Sequence, residues 1–489
     1  MPSPYRVLIR RCDSYDPDRI AGIIREGMVE MGLRPAGRVL LKPNAVIGHP
    51  EIFPHAFTRK EFLDGALSAT RACARPDADI AVGERSGITI PTRWVFRNAG
   101  YPDVIRKHGA RTIYFDEMRH VPVPIDAEGR LRDQLFVPEA VADCDFLINL
   151  PKFKAHPWCR LTLSLKNFIG LQDDRHKLVD HNLFLEHKIA DLQSVIQPKF
   201  IAVDAITAGQ KMMLTPTPFA MGVVLMGNNS CAVDTVGCRM VNVDPEKVTH
   251  LRFASQRGFG PMSLDQVQID GDISIEELQH RNRDFQFCLE PIDTYFGSDT
   301  RLRCTVGKFP EKHSPDYCWG GCPGALQEAM HIFRGVNPSV EQSLGNIHYV
   351  VGEVEGPLDL KPDERVIFAG DCTCWEGEID GRRVKIDSTY QTAAQVDETR
   401  THAYDMISKV GHAILQVALN RHKRWVRVKG CPVSVAEHVH YLSALGGIAN
   451  PMFDTRLLVP VMLDYARMRT GRLYHRWVKN SGFRLSSYL

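Results

Sequence analysis

The chain has 489 residues, enough for two or three domains with sizeable cores, and its 44% hydrophobic and 24% charged residues are ordinary for a globular protein. The 60 basic and 58 acidic residues nearly cancel, which gives no reason to expect nucleic acid as a partner. No apolar run approaches the roughly 18 residues that cross a bilayer, and the opening MPSPYRVLIRRCD has no signal-peptide core, so a cytoplasmic protein is expected and membrane contact is not.

The first half alternates strand-like and helix-like segments. Residues 5–9 read as a strand and 18–31 as a helix ending at Gly32. Residues 39–41 form a strand closed by Lys42, Pro43 and Asn44, and 60–74 a helix. Residues 80–82 form a strand followed by the loop Gly83 to Gly87 with Arg85, and 112–115 and 146–150 add two strands. Pro151 supplies no N–H and should end the last of these. Lys152, Lys154 and His156 follow at once, then an apolar stretch over 161–165 leading to Lys166 and Asn167. Strands over 200–203 and 221–226 stop at Asp204 and at Asn228.

This pattern predicts an α/β fold: a mostly parallel sheet with helices on both faces over residues 1–275. In such sheets ligands bind beyond the carboxyl ends of the strands, which is where these cations and amides recur. Lys42, Asn44, Arg85, Lys152, Lys166 and Asn167 are therefore the expected ligands of a small anionic substrate, carboxylate or phosphate. His156 is the expected proton donor, with Lys154 beside it, because an imidazole titrates near neutral pH.

The segments LLKPN at 40–44, VGERSG at 82–87, LINLPKFKAH at 147–156, LSLKNFIGL at 163–171, VDAI at 203–206 and the stretch from CAVDTVG to GFG at 231–260 resemble the family known as domain of unknown function 362. The resemblance covers roughly residues 5–275. It fixes a domain and says little about chemistry, beyond a frequent association with iron-sulfur segments. The ferredoxin-like C-x2-C-x2-C-x3-C-P run that usually accompanies this family is missing from the sequence.

Residues 276–345 read as a connector carrying a first cysteine pair, and 346–489 as a smaller α/β domain. Thirteen cysteines in so long a chain are too sparse for a disulfide scaffold, so clustered ones suggest a metal. Cys318 and Cys322 precede a helical stretch, Cys372 and Cys374 follow a strand over 366–369, and Cys431 follows a strand over 425–428. Thiolates at helix starts meet free N–H groups and positive dipole ends, which suits a 4Fe-4S cluster. The order C-x3-C, G-D-C, G-C-P is similar to the proximal-cluster site of hydrogenase small subunits and related quinone oxidoreductase subunits. That resemblance implies Cys318, Cys322, Cys372 and Cys431 as ligands, with Cys374 as the alternative to Cys372. Zinc, and inert thiols that hold no metal, are the competing readings.

His176, His181 and His187 lack the spacing of a metal site on one helix face. The arginine-rich tail over 457–489 reads as a helix docked on its own domain or on a second subunit, leaving a homo-oligomer open, with membrane-surface binding as the lesser alternative. The expected function is an iron-sulfur oxidoreductase that passes electrons from a donor such as ferredoxin or flavodoxin to an anion held in the lysine-rich crevice. The alternatives are an electron-transfer subunit without its own substrate and a non-redox lyase or isomerase with a structural cluster.

Overall fold

The structure is a computed structural model that describes residues 4–87, 90–172, 184–287, 301–309, 321–389 and 406–477. His176, His181, Cys288 and Cys318 lie outside the described residues.

Among the described residues twelve strands build the first half. They are β1 (Arg6–Arg11), β2 (Arg38–Pro43), β3 (Asp79–Glu84), β4 (Arg111–Tyr114), β5 (His120–Pro124), β6 (Gln134–Pro138), β7 (Phe146–Leu150), β8 (Lys152–His156), β9 (Arg160–Thr162), β10 (Phe200–Gln210), β11 (Thr217–Gly227) and β12 (Gln268–Gly271). The main sheet runs β12-β1-β11-β10-β7-β2-β3-β4, with β8 and β9 branching from β10, while β5 and β6 form a separate hairpin. Only the pairings of β11 with β1 and β10, and of β8 with β9, are antiparallel within it, so the sheet is mixed and mostly parallel.

Side chains alternate across each strand, so both faces of the sheet need cover. Val7, Ile9, Leu40, Ile201 and Val203 join one core with helices that include Leu185–Leu192, Ser230–Met240 and Thr249–Gln256. Leu8, Val39, Leu41, Phe200 and Ala202 join the other with helices Pro17–Glu30, Lys60–Cys73 and Thr92–Asn98. Helices thus cover both faces, as the alternating pattern predicts.

Three local expectations change. Pro151 ends β7, but the chain re-enters the sheet immediately as β8, whose Lys152 and Lys154 pair with Asp204 and Gly209 of β10. The lysines and His156 therefore sit on a buried strand, with Phe153 and Ala155 filling the core between them. Strand β10 continues through Asp204 to Gln210. Finally, β11 runs antiparallel to β10, so Asn228 emerges at the opposite edge, where its Oδ1 accepts from Arg6 N at 2.9 Å.

The second sheet contains β13 (Leu302–Val306), β14 (Ile347–Glu353), β15 (Arg365–Ile379), β16 (Arg382–Ile386) and β17 (Trp425–Val428), in the order β13-β14-β15-β16 with β17 also pairing β15. The segment expected as a connector supplies this sheet with β13 and with helix Gly321–Val336, whose Ala325, Leu326 and Met330 pack with Ile347, Tyr349 and Val426. This helix also ties the two sheets together. The buried Glu328 carboxylate accepts from the backbone N–H groups of Met213, Leu214 and Thr215 at 3.0, 3.1 and 2.7 Å. The last helix, Thr455–Trp477, docks on the first sheet's domain and not on its own: Leu457 and Val461 pack on that core, and the buried Asp464 pairs with Arg97 at 2.7 Å.

Candidate functional site

A cavity of about 430 Å³ lies where the carboxyl ends of β2 and β3 and the strands β8 and β9 meet helices Val435–Gly446 and Thr455–Trp477. Its polar lining includes Asn44, Glu84, Arg85, Lys154, His156, Thr162, Lys166 and Asn167 from the first domain. Much of the remaining wall is apolar, including Ile47, Phe53, Trp94, Ile169, Ile332, Val439, Leu458 and Val461.

Lys42 and Lys152, expected as anion ligands, do not line this cavity. Lys42 Nζ is fully buried against Glu84 Oε2 at 2.7 Å, and Lys152 Nζ against Asp204 Oδ2 at 2.9 Å. Tyr15 completes the second pair, donating its hydroxyl to Asp204 Oδ1 at 2.7 Å while Lys152 Nζ lies 2.9 Å from the same hydroxyl oxygen. Each ammonium already has a carboxylate, so neither is available to a ligand anion. Position at a strand end could not reveal this, because the neutralising partner comes from another strand.

Lys154 and Lys166 do line the cavity, together with Arg85. Lys154 Nζ donates to the carbonyls of Ala56 and Met213 at 2.7 and 3.0 Å, which positions the amine without neutralising it. Burial, reinforced by the nearby Lys166 charge, brings the Lys154 amine down to about 7. Burial also lowers Lys166. Among the described residues no hydrogen bond or ion pair engages the Lys166 ammonium, so it is the group an anionic ligand would meet. A Lys154 charge present below pH 7 and lost above it has a measurable result. Affinity for anilinonaphthalene sulfonate, an apolar fluorescent anion, should be full below about pH 7 and fall as pH rises through it. Lys154→Arg should abolish that dependence, and an unchanged profile in the variant would exclude Lys154 as its source.

The amides form a relay. Asn149 Nδ2 donates to Ser164 Oγ at 2.9 Å, Asn167 Nδ2 to Asn149 Oδ1 at 2.7 Å, and Asn44 Nδ2 to Asn167 Oδ1 at 3.1 Å. Among the described residues Asn44 Oδ1 and Thr162 Oγ1 are buried with no hydrogen-bond partner, leaving two polar atoms beside the cavity for a ligand or water to satisfy. The short helix Ser164–Asn167, which carries Lys166 and Asn167, is held by the buried Asp234 carboxylate, which accepts from Ser164 N at 2.8 Å and Leu165 N at 3.1 Å. Burial outweighs those bonds and pushes Asp234 up to about 8. His156 Nδ1 accepts from the N–H groups of Trp158 and Cys159 at 3.1 and 3.2 Å, so the neutral ring carries its proton on Nε2. The sequence reading did not single out Thr162, Glu84 or Asn149; the polar-apolar alternation of KFKAH was the available signal for a strand.

The cysteine loops converge next to this cavity. A Cβ placed on Gly370, whose φ of +102° favours glycine, would fall 3.1 Å from Cys322 Sγ and 3.8 Å from Cys372 Sγ. Cys322 Sγ also accepts from Val433 N at 3.2 Å, just beyond Cys431. Burial, and then the neighbouring Cys431, push the Cys372 thiol up to about 11. Cys374 lies two residues further along β15, opposite Glu353. Among the described residues no group of three or more His, Cys, Asp or Glu side chains is arranged to hold a metal ion. The link to the cavity is direct: Trp158 Nε1 donates to Gly321 O, next to Cys322, at 3.2 Å, and the Trp158 ring meets His156 edge-on at 5.4 Å between centroids.

Residues 39–239 match the sequence profile of the family described as Domain of unknown function (DUF362), a span that holds all of the first-domain cavity residues named above. The cysteine loops of the second half lie outside that match. A thylakoid-associated protein of Synechocystis sp., sll1697, is 24% identical over 344 residues, 67% of this chain and 98% of that protein. The lactate racemase apoprotein of Thermoanaerobacterium thermosaccharolyticum aligns in structure with a TM-score of 0.30 and 9% identity, over 75% of this chain and 83% of that one. Among the described residues no helix is long and apolar enough to cross a membrane.

Proposed function

We propose that the chain is an iron-sulfur oxidoreductase whose substrate is a small molecule with an anionic group and a largely apolar body. The observation that carries this reading is the contact between the two centres: the residue beside Cys322 is hydrogen-bonded to Trp158, whose ring touches the cavity residue His156. Cys322, Cys372 and Cys431 would hold a 4Fe-4S cluster together with Cys318, and the glycine at 370 keeps clear the space beside the Cys322 and Cys372 sulfurs. When bound, such a cluster would supply single electrons at low potential, drawn from a donor of the ferredoxin or flavodoxin class.

The chain's own residues supply the rest. Lys166 and Arg85 attract the anionic group and the Thr162 hydroxyl donates to it, Asn44 Oδ1 accepts from a hydroxyl or N–H elsewhere on the substrate, and the apolar wall takes the body and excludes water. His156 donates a hydrogen bond to the reacting group from Nε2, the ring atom that remains once Nδ1 is held by the backbone, and the Lys154 ammonium, brought down to about 7, is the proton source beside it. A non-redox lyase or isomerase has one observation in its favour, since a buried amine near pH 7 such as Lys154 can also act as an acid and base.

A single-turnover experiment separates the readings. Reconstituted protein, reduced with dithionite and freed of excess reductant, is mixed with a panel of aryl and alkyl carboxylates and phosphates. Reoxidation of the visible cluster absorption by one of them, lost in Lys166→Ala, is expected. Conversion of a panel member with no change in the oxidation state of the cluster would replace the redox reading with the lyase or isomerase.

A further inference from the structure

The last helix presents two faces. Leu457, Leu458 and Val461 line the cavity, whereas Val459, Leu463 and Leu473 are 51%, 59% and 51% exposed. With exposed Ala466 and Thr470 between them, these residues recur every three or four positions and form one apolar stripe on the helix surface. Exposed arginines at 456, 467 and 469 flank it, while the acidic residue within the helix, Asp464, is buried.

Beneath this face lies a second cavity of about 420 Å³, lined by Arg97, Arg456, Arg467, His49 and Trp94 and by the stripe residue Leu463. Two carboxylates stand among its three guanidinium groups. Asp464 pairs with both Arg97 and Arg467 at 2.7 and 3.0 Å, and Asp454 pairs with Arg456 at 2.6 Å. The three guanidinium groups stand against these two carboxylates and the more distant Glu51, which acts on Arg456, in a pocket large enough for a phosphate group. Trp94 and Leu457 belong to the walls of both cavities, so the arginine pocket backs onto the substrate cavity.

We infer that this face docks on an anionic lipid bilayer, with the apolar stripe lying at the headgroup boundary and a lipid phosphate held in the arginine pocket. An apolar stripe flanked by arginines, on a helix too polar to insert across a membrane, is the pattern of an interfacial helix. The charge favours the bilayer as occupant: an exposed face that is apolar and cationic complements an anionic lipid surface. Docking there would set the apolar cavity beside a source of apolar substrates, and the inference stands independently of the redox chemistry.

The test is vesicle flotation of the full chain with phosphatidylcholine alone and with phosphatidylcholine mixed with phosphatidylglycerol. Flotation with the anionic vesicles only, released by salt, is the expected result. Arg456→Glu should lower the bound fraction at least about fivefold, the equivalent of about 1 kcal/mol for one surface arginine. Leu463→Glu should lower it comparably, both variants keeping the wild-type circular dichroism. Equal binding to neutral vesicles, or variants that bind as well as the parent, would overturn the inference. So would inorganic phosphate binding in calorimetry without vesicle binding, or a lipid-free dimer that Leu463→Glu dissociates.

Discussion

Replacing Lys152 by methionine should destabilise the protein by about 3–5 kcal/mol, the usual cost of removing one member of a buried ion pair. Asp204 would keep only the Tyr15 hydroxyl and the Arg59 N–H, at 2.7 and 3.1 Å, in a site fully closed to water. The same replacement at Lys166 should leave stability unchanged or raise it, because burial of that ammonium outweighs the attraction of Glu186 and no ion pair among the described residues closes on it. It should instead weaken binding of anilinonaphthalene sulfonate by tens-fold or more, about 2 kcal/mol at least. Urea unfolding and a fluorescence titration measure the two effects separately. A Lys166→Met protein that unfolds early and still binds the dye would reverse the roles given to the two lysines.

The second large effect concerns the cysteines. Changing Cys322, Cys372 or Cys431 to serine should abolish the visible absorption of anaerobically reconstituted protein, because loss of one of four thiolates leaves a cluster incompletely held. Cys374→Ser should retain it: the sulfur that shares the space around Gly370 with Cys322 belongs to Cys372. Cys231→Ser serves as a control, since that thiol is fully buried in the first domain's core. Retained absorption in Cys372→Ser with loss in Cys374→Ser would exchange their roles.

Much of this was legible in the sequence. The alternation of strands and helices gives the sheet with helices on both faces, and strand-end position brings out Asn44, Arg85 and Asn167, all of which line the cavity. What the sequence could not express was pairing between distant strands. Lys42 and Lys154 look alike as strand-end lysines, yet Glu84 from β3 neutralises one while the other, among the described residues, donates to two carbonyls. The direction of β11 was equally hidden, and with it the displacement of Asn228 to the far edge. The apolar wall was missed because its residues come from both halves of the chain, Phe53 and Trp94 from the first and Val439 and Leu458 from the second. In one dimension each is an ordinary core residue; only the docking of the last two helices turns them into a cavity.

The coupling of a cluster to this cavity is tested most directly by anaerobic reconstitution with iron and sulfide, followed by metal analysis and a visible spectrum. About four iron and four acid-labile sulfide per chain are expected, with a broad absorption that dithionite bleaches. A colourless protein that instead takes up one zinc through the same cysteines would contradict it.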